Sequence, residues 1–344
     1  MMSETPMQEN YLSAQKKEIH YVSAKFHRRV FANLTDLIIF ALVFLGLFSL
    51  IRGIISSTPD FKQKEDKMTV MRLDSGMYGQ YTSGKVGDIV SYLDDDINSF
   101  SAYAKMDMAK EAVDKFIAYV GTKGVEGASK KVQDDYDTYR LSNKLVYEGV
   151  PYFVKQGNEI VRNKDCKAVA YDYFKNAYSP FIDDHCQGYL LTLVPDYLDL
   201  VRYESNLLFW AELLPAYVVA PLLVYLLPMF CFKRGRMTLG KAMYRIATVD
   251  DRLLVPTWKR TLAKFGLLYG LEILLTPFTF AIPLLVSASL MAFSKKRQTL
   301  TEYLLGLHEV DASQQKVYFS REEILLTGAA ESKEPVDFKV PYED

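Results

Sequence analysis

The sequence predicts an all-α multi-pass membrane protein of three to four membrane segments, with an inserted, mainly α-helical extracytoplasmic domain that contains a small β-hairpin. Three observations predict it. Residues 30–51, 207–232 and 265–293 are long apolar stretches with almost no charge, while nearly every acid lies elsewhere. About 150 residues separate the first two stretches, far more than an ordinary connection needs. Basic side chains crowd the ends of these stretches that would stay in the cytoplasm. Bulk composition excludes other classes: 41 Lys+Arg against 42 Asp+Glu leave a net charge of −1 over 344 residues, which gives nucleic acid no electrostatic attraction. A hydrophobic content of 49% with 24% charged residues suits neither a disordered chain nor one wholly immersed in lipid.

The first stretch, residues 30–51, has Asp36 as its one charge. At ~1.5 Å per residue it reaches about 33 Å, enough for the ~30 Å hydrocarbon core. A secretory signal peptide is the competing reading, but no small-residue cleavage motif follows at residues 52–56, so an uncleaved anchor is expected. The second stretch, residues 207–232, is interrupted by Glu212 and by Pro215, Pro221 and Pro228, which neighbouring helices can accommodate within a bilayer. The third, residues 265–293, carries only Glu272 and is too long for one upright span and short for two. The preferred reading is a kinked, hairpin-like or re-entrant unit broken near Thr276-Pro277, with one tilted span as the alternative.

Flanking charge sets the orientation. Lys16, Lys17, Lys25, Arg28 and Arg29 precede the first span, and nine Lys/Arg against Asp250 and Asp251 lie between Phe232 and Lys264 inclusive of that lysine. Both segments are expected to be cytoplasmic. Residues 57–205 hold 19 Lys/Arg and 24 Asp/Glu and are expected outside. The organisation is then a cytoplasmic segment 1–29, a first transmembrane helix 30–55, an extracytoplasmic insert 56–206, a second helix 207–232, a basic cytoplasmic loop 233–260, a third membrane segment 261–294 and a cytoplasmic tail 295–344. The expected location is a cell membrane, with the N-terminus in the cytoplasm.

Within the insert, residues 86–119 repeat apolar side chains at helical intervals, placing Ile89, Tyr92, Ile97, Tyr103, Met106, Ala112, Phe116 and Ile117 near one face. Residues 121–127 break the pattern. A β-hairpin is expected from residues 150–155 and 160–162 around Gln156-Gly157-Asn158-Glu159, and helices over 167–178 and 189–203 lead into the second span. The many tyrosines read as the lining of a small core in preference to a glycan- or peptide-stacking surface. Cys166 and Cys186 are close enough in sequence, and in the right compartment, for a disulfide. Asp183-Asp184-His185-Cys186 lacks paired metal-ligand spacing, so no metal or cofactor is expected.

The string Gly235-Arg236-Met237-Thr238-Leu239-Gly240-Lys241-Ala242 copies the Gly-x4-Gly-Lys core of a phosphate-binding loop and fails at Ala242, where Ser or Thr would hold Mg²⁺. A nucleotide is therefore excluded. Nor does any nucleophile–base pair suggest an enzyme. The same stretch, with Arg245-Ile246-Ala247-Thr248-Val249-Asp250 and Arg260, resembles the cytoplasmic loop of the RDD family of bacterial membrane proteins. Arg29 through Asp36, with its Arg and an Asp seven residues on, resembles that family's first helix. Thr299-Leu300-Thr301-Glu302 after a basic cluster resembles its last signature, with Glu302 where the family has Asp. The resemblance covers residues 26–55 and 207–311, and it implies a membrane protein for which both assembly roles and cation/proton exchange have been suggested.

Read from the residues alone, Arg29, Asn33 and Asp36 fall at i, i+4 and i+7 and form one polar stripe. A carboxylate inside the bilayer costs some ~2.5–3.5 kcal/mol, so Asp36 needs a partner. Arg29 is two turns away, and Arg260 or Lys241 from the loop is the better candidate. A polar clamp docking the loop onto the bundle is the main reading, and ion passage through Asp36 the alternative, with Glu272 facing the same polar interior. Glu212 is expected to reach solvent at the interface. The loop itself reads as a short helix over 238–244, a β-hairpin of 246–249 with 253–255 turning on Asp250-Asp251-Arg252, and a helix capped by Thr257. Trp258 should mark the interface and the basic face should meet anionic lipid headgroups. The tail 313–344 is acidic. Function is expected to be that of a scaffold or assembly partner, through a membrane-protein partner or homo-oligomer; the alternative is a secondary transporter using Asp36, Glu272 and Glu302.

Overall fold

The computed structural model describes residues 22–276, 278–294, 297–313 and 316–323. Lys16, Lys17, Pro277, Lys295, Lys296 and most of the acidic tail lie outside the described residues. The chain divides into two compact units, Arg52–Ala211 and Met1–Ile51 with Glu212–Asp344.

Among the described residues, two helices are long and apolar enough to cross a membrane, Phe26–Ser56 and Pro195–Cys231. Leu42, Leu45, Leu50 and Ile54 of the first are all more than half exposed, a surface that water would not tolerate over several turns and that lipid would cover. The second winds in alternating α and wider π turns, with π stretches at Leu207–Leu213 and Leu222–Leu226 beside Pro215, Pro221 and Pro228. A proline offers no N–H and pushes on the preceding turn, and widening the turn absorbs both. The third apolar stretch is not one straight helix. Trp258–Leu267 continues as a π-wound segment, Leu268–Leu274, then turns through Phe280 and Ala281, both at positive φ, into Ile282–Phe293, which packs back against the π segment.

The basic loop departs from expectation at one point. Ile246–Asp250 is a strand, and Asp250 N–H bonds the Leu254 carbonyl across a tight turn, yet its ladder partner is Leu307–Asp311 of the tail instead of residues 253–255. Leu307–Asp311 is the longer apolar-containing strand and covers Ala247 and Val249, which are fully buried with Val255 and Val310. Ser23, just before the first helix, bridges to Val310. Three separate parts of the sequence therefore meet in one small layer. Thr257 caps its helix as expected, its side-chain oxygen accepting from Arg260 N–H, and Thr238, expected inside its helix, caps it instead, accepting from Lys241 N–H.

The Arg52–Ala211 unit is mainly helical around Ala102–Lys123, whose Met106, Ala109, Val113, Phe116 and Val120 follow a three- and four-residue spacing into the core. It packs on Ala128–Arg140 and on the Tyr173–Tyr178 segment. The expected continuous face over 86–119 is broken: Val86–Asp88 is a strand, Ile89–Asp94 a short helix, and Asp95 and Ser101 each cap a new start. Ile97 and Tyr103 consequently lie on the surface, 79% and 70% exposed. The hairpin forms as Phe153–Gln156 with Glu159–Arg162, turning on Gly157 at φ +64°, while Val150 pairs instead with Tyr147. Tyr136, Tyr152, Tyr173, Tyr178 and Tyr197 are buried, so tyrosine does line the core. The Cys166–Cys186 disulfide that the sequence permits does not form. Both thiols are free: Cys186 is fully buried on the Ile182–Cys186 turn, near Tyr136 and Tyr189, while Cys166 lies beside Tyr173. Burial pushes the Cys186 thiol up to about 12.

Candidate functional site

The polar stripe on the first helix is buried, Arg29 at 2% and Asp36 at 3% exposure. Asp36 accepts a hydrogen bond from the Gly240 N–H at 2.7 Å and another from the Thr238 hydroxyl. Its partners are thus the start of the Leu239–Met243 helix, not a cation. Gly240 is required at this point because an added Cβ would run into the Ala32 carbonyl and sit 3.0 Å from the Asp36 carboxyl.

Beside this contact lies a buried cluster of five charges. Arg29 donates to Glu309 through Nε and to Glu302 through Nη2 at 3.2 Å. Lys241 Nζ pairs with Glu302 at 3.1 Å and with Glu309. Lys264 Nζ lies 3.3 Å from Glu302 and donates to the Thr248 hydroxyl at 3.1 Å. Glu302 is positioned by its own helix start: Thr299 N–H donates to its carboxylate at 3.2 Å, and the Thr299 hydroxyl accepts from Glu302 N–H at 3.3 Å. This reciprocal capping box explains the Thr-x-x-Glu spacing in physical terms. Glu309 is delivered by the tail strand, directly opposite Thr248. Burial alone would lower the Lys241 ammonium, but Glu309 and Glu302 raise it above its ordinary value. Burial likewise opposes the charge on Glu302, yet Lys241 and Lys264 hold its carboxyl well below the usual carboxylate range.

Glu272, on the π-wound segment, stands apart from these charges. It is 6% exposed, and its Oε1 accepts from Ser287 at 3.2 Å, from Thr301 N–H at 3.3 Å and from the Thr301 hydroxyl. A cavity of about 390 Å³ lies between the helices, and its lining includes Glu272, Asp36, Asn33 and Glu302 together with apolar and aromatic side chains. Glu272 and Asp36 do share one interior, as the sequence suggested.

Two expected members behave otherwise. Arg260 is 43% exposed at its side chain and pairs with Asp250 at 3.3 Å, outside the cluster. Asn33 lines the cavity but has only a long contact, 3.6 Å, to the Met291 sulfur. Glu212, expected in solvent, is 1% exposed, because its π turn directs it inward. The sequence reading missed Glu309, Lys264 and Thr238. Lys264 had been counted only as flanking charge, although it follows the buried Thr261 by three residues and so shares its face. Gly306 at φ +60° ends the helix and starts the strand that brings Glu309, and Gly306-Leu307 was the available signal.

Residues 187–306 match the RDD family. The match takes in Lys241, Lys264, Glu272 and Glu302, and leaves out the first helix with Arg29 and Asp36, the strand with Glu309, and most of the Arg52–Ala211 unit. No curated protein and no solved structure matches the chain.

Proposed function

Starting from an RDD-type membrane protein, we propose that this chain is a multi-pass scaffold of the bacterial cytoplasmic membrane, with its basic loop inside and the Arg52–Ala211 unit outside, where that unit binds another component. The observation that carries this reading is the internal use of the polar groups. Asp36 holds the loop helix, and Arg29, Lys241 and Lys264 are matched by Glu302 and Glu309, so the charges lock the loop to the helices. A conduction path needs carboxylates free to exchange protons, and among the described residues Asp36 has two fixed donors and Glu302 four. The third segment then dips and returns as a helical hairpin, and the exposed Lys259 and Trp258 meet the headgroup layer, with Lys259 drawn to anionic lipid.

Cation/proton exchange is the alternative, and the one observation in its favour is Glu272 at the cavity wall. Reconstitution separates the two. Vesicles holding the purified chain are loaded for proton-coupled Na⁺ or K⁺ movement beside a working carrier; no flux is expected. Flux that disappears in Glu272→Gln at unchanged abundance would overturn the scaffold reading. Orientation is checked by a membrane-impermeant thiol reagent on single cysteines placed at Ile97 and Met243, the first reacting from outside and the second only after permeabilisation.

A further inference from the structure

We propose that the 390 Å³ cavity binds an organic cation, an ammonium head on an apolar body, with Glu272 as its counter-ion. The volume falls within the roughly 300–1,000 Å³ of small-molecule sites. The inference goes beyond the scaffold reading and does not depend on it, since Glu272 is not among the five clustered charges.

Charge accounting around the cavity singles out Glu272. Of the three carboxylates that line it, Glu302 has Lys241 and Lys264 at 3.1 and 3.3 Å, and Asp36 has Thr238 and the Gly240 N–H. Glu272 has no cation within ion-pair distance among the described residues. All its hydrogen bonds, from Ser287 and Thr301, fall on Oε1. Its Oε2 has no hydrogen-bond partner among the described residues, and Glu272, 6% exposed, lines the cavity. An anionic oxygen left without a partner in a low-dielectric space attracts a cation strongly, because the Coulomb term grows as the dielectric falls. A metal ion would need several oxygen ligands, and no group of three or more acidic, His or Cys residues is arranged to hold one among the described residues.

The rest of the wall selects the body of the ligand. Phe40, Tyr217 and Tyr225 line the cavity and form a ring cluster, with Phe40 6.3 Å from Tyr217 and 6.1 Å from Tyr225. Aromatic faces attract ammonium groups as well as hydrocarbon. Leu37, Leu268 and Leu284 supply the apolar remainder. An anion fits poorly, because both cavity-lining lysines are already committed to Glu302. A neutral lipid tail would fill the apolar part and leave Oε2 unanswered.

The test uses the full chain in phosphatidylcholine nanodiscs, with empty nanodiscs subtracted, and equilibrium dialysis of two probes. One is 4-phenylbutyltrimethylammonium; the other is its uncharged isostere, with carbon in place of nitrogen. The cation is expected to bind about tenfold or more tightly than the isostere, and Glu272→Gln to abolish that preference while leaving the isostere unchanged. Leu284→Trp, which adds bulk to the cavity wall and keeps Glu272, should remove binding of both. Near-UV circular dichroism and the elution volume establish that each variant is folded; should Glu272→Gln not fold, Leu284→Trp and the two-probe comparison on the unsubstituted chain still decide. Equal binding of the two probes, or cation binding that survives Leu284→Trp, overturns the proposal. Loss of the proposal would leave the loop-locking charges, and the scaffold reading, untouched.

Discussion

Replacing Gly240 by Ala tests whether Asp36 is a docking group. The added Cβ meets two fixed objects, the Ala32 backbone carbonyl and the Asp36 carboxyl carbon 3.0 Å away, and neither is the loose end of a flexible chain. The loop helix must therefore back away from the first helix, which stretches the 2.7 Å bond from Gly240 N–H to Asp36. Overpacking costs about 1–3 kcal/mol and a lost hydrogen bond to a charged group about 1.5–3 kcal/mol, so a loss of roughly 3–5 kcal/mol is expected. SDS-titrated unfolding in mixed micelles measures it. Asp36→Ala breaks the same contact from the other side, so the double variant should cost little more than the worse single one. Gly240→Ala within about 0.5 kcal/mol of the unsubstituted chain, a margin typical of surface changes, or full additivity with Asp36→Ala, would refute the docking argument.

The charge cluster makes further predictions. Glu302→Gln leaves Lys264 without a carboxylate partner and should cost about 3–5 kcal/mol in the same assay, whereas Arg260→Ala, which loses a half-exposed pair with Asp250, should cost under about 1 kcal/mol. Because Glu302 is held below its unfolded value of ~4.3, its contribution is present above that pH and is lost as the pH falls through the lower folded value. Lys241 is raised, so its contribution is complete below ~10.4 and is lost as the pH rises through the higher folded value. Thermal midpoints should therefore show an acid-side fall that Glu302→Gln blunts and an alkaline-side fall that Lys241→Met blunts, with both contributions full in between. Cys166 and Cys186 should each react with a maleimide after denaturation without reductant.

Much of this arrangement was legible because its signals are local. An uninterrupted apolar run identifies a span, a Thr before a helix identifies a cap, and a polar residue at i, i+4 and i+7 identifies a stripe. Thr257, read as a cap, is one, and Thr238 and Thr299 cap helices in the same way. The partners were not legible, since they depend on pairing across the chain. Asp36 was matched to a cation on the ground that a buried carboxylate needs one, but two short donors, a hydroxyl and a backbone N–H, serve it instead. Residues 253–255 read as the return strand because they are adjacent, but the tail strand 307–311 takes that place, bringing Glu309 with it, and Val255 joins the same small core. In the Arg52–Ala211 unit, periodicity was sound for Ala102–Lys123 and failed upstream, where Asp95 and Ser101 restart the helix and shift Ile97 and Tyr103 off the common face.

The strand at Leu307–Asp311 also sets an order of events. Arg29 and Glu309 are 280 positions apart, so a ribosome has released the guanidinium long before it makes its counter-ion, and Lys241 has an equally unmatched interval before Glu302 and Glu309 emerge. Until then the first helix is fastened through Asp36 to Thr238 and Gly240, while Arg29 has neither of its carboxylates. The final stretch of synthesis thus acts as a latch, and a polypeptide halted before residue 300 would hold its greasy segments without the buckle that secures them.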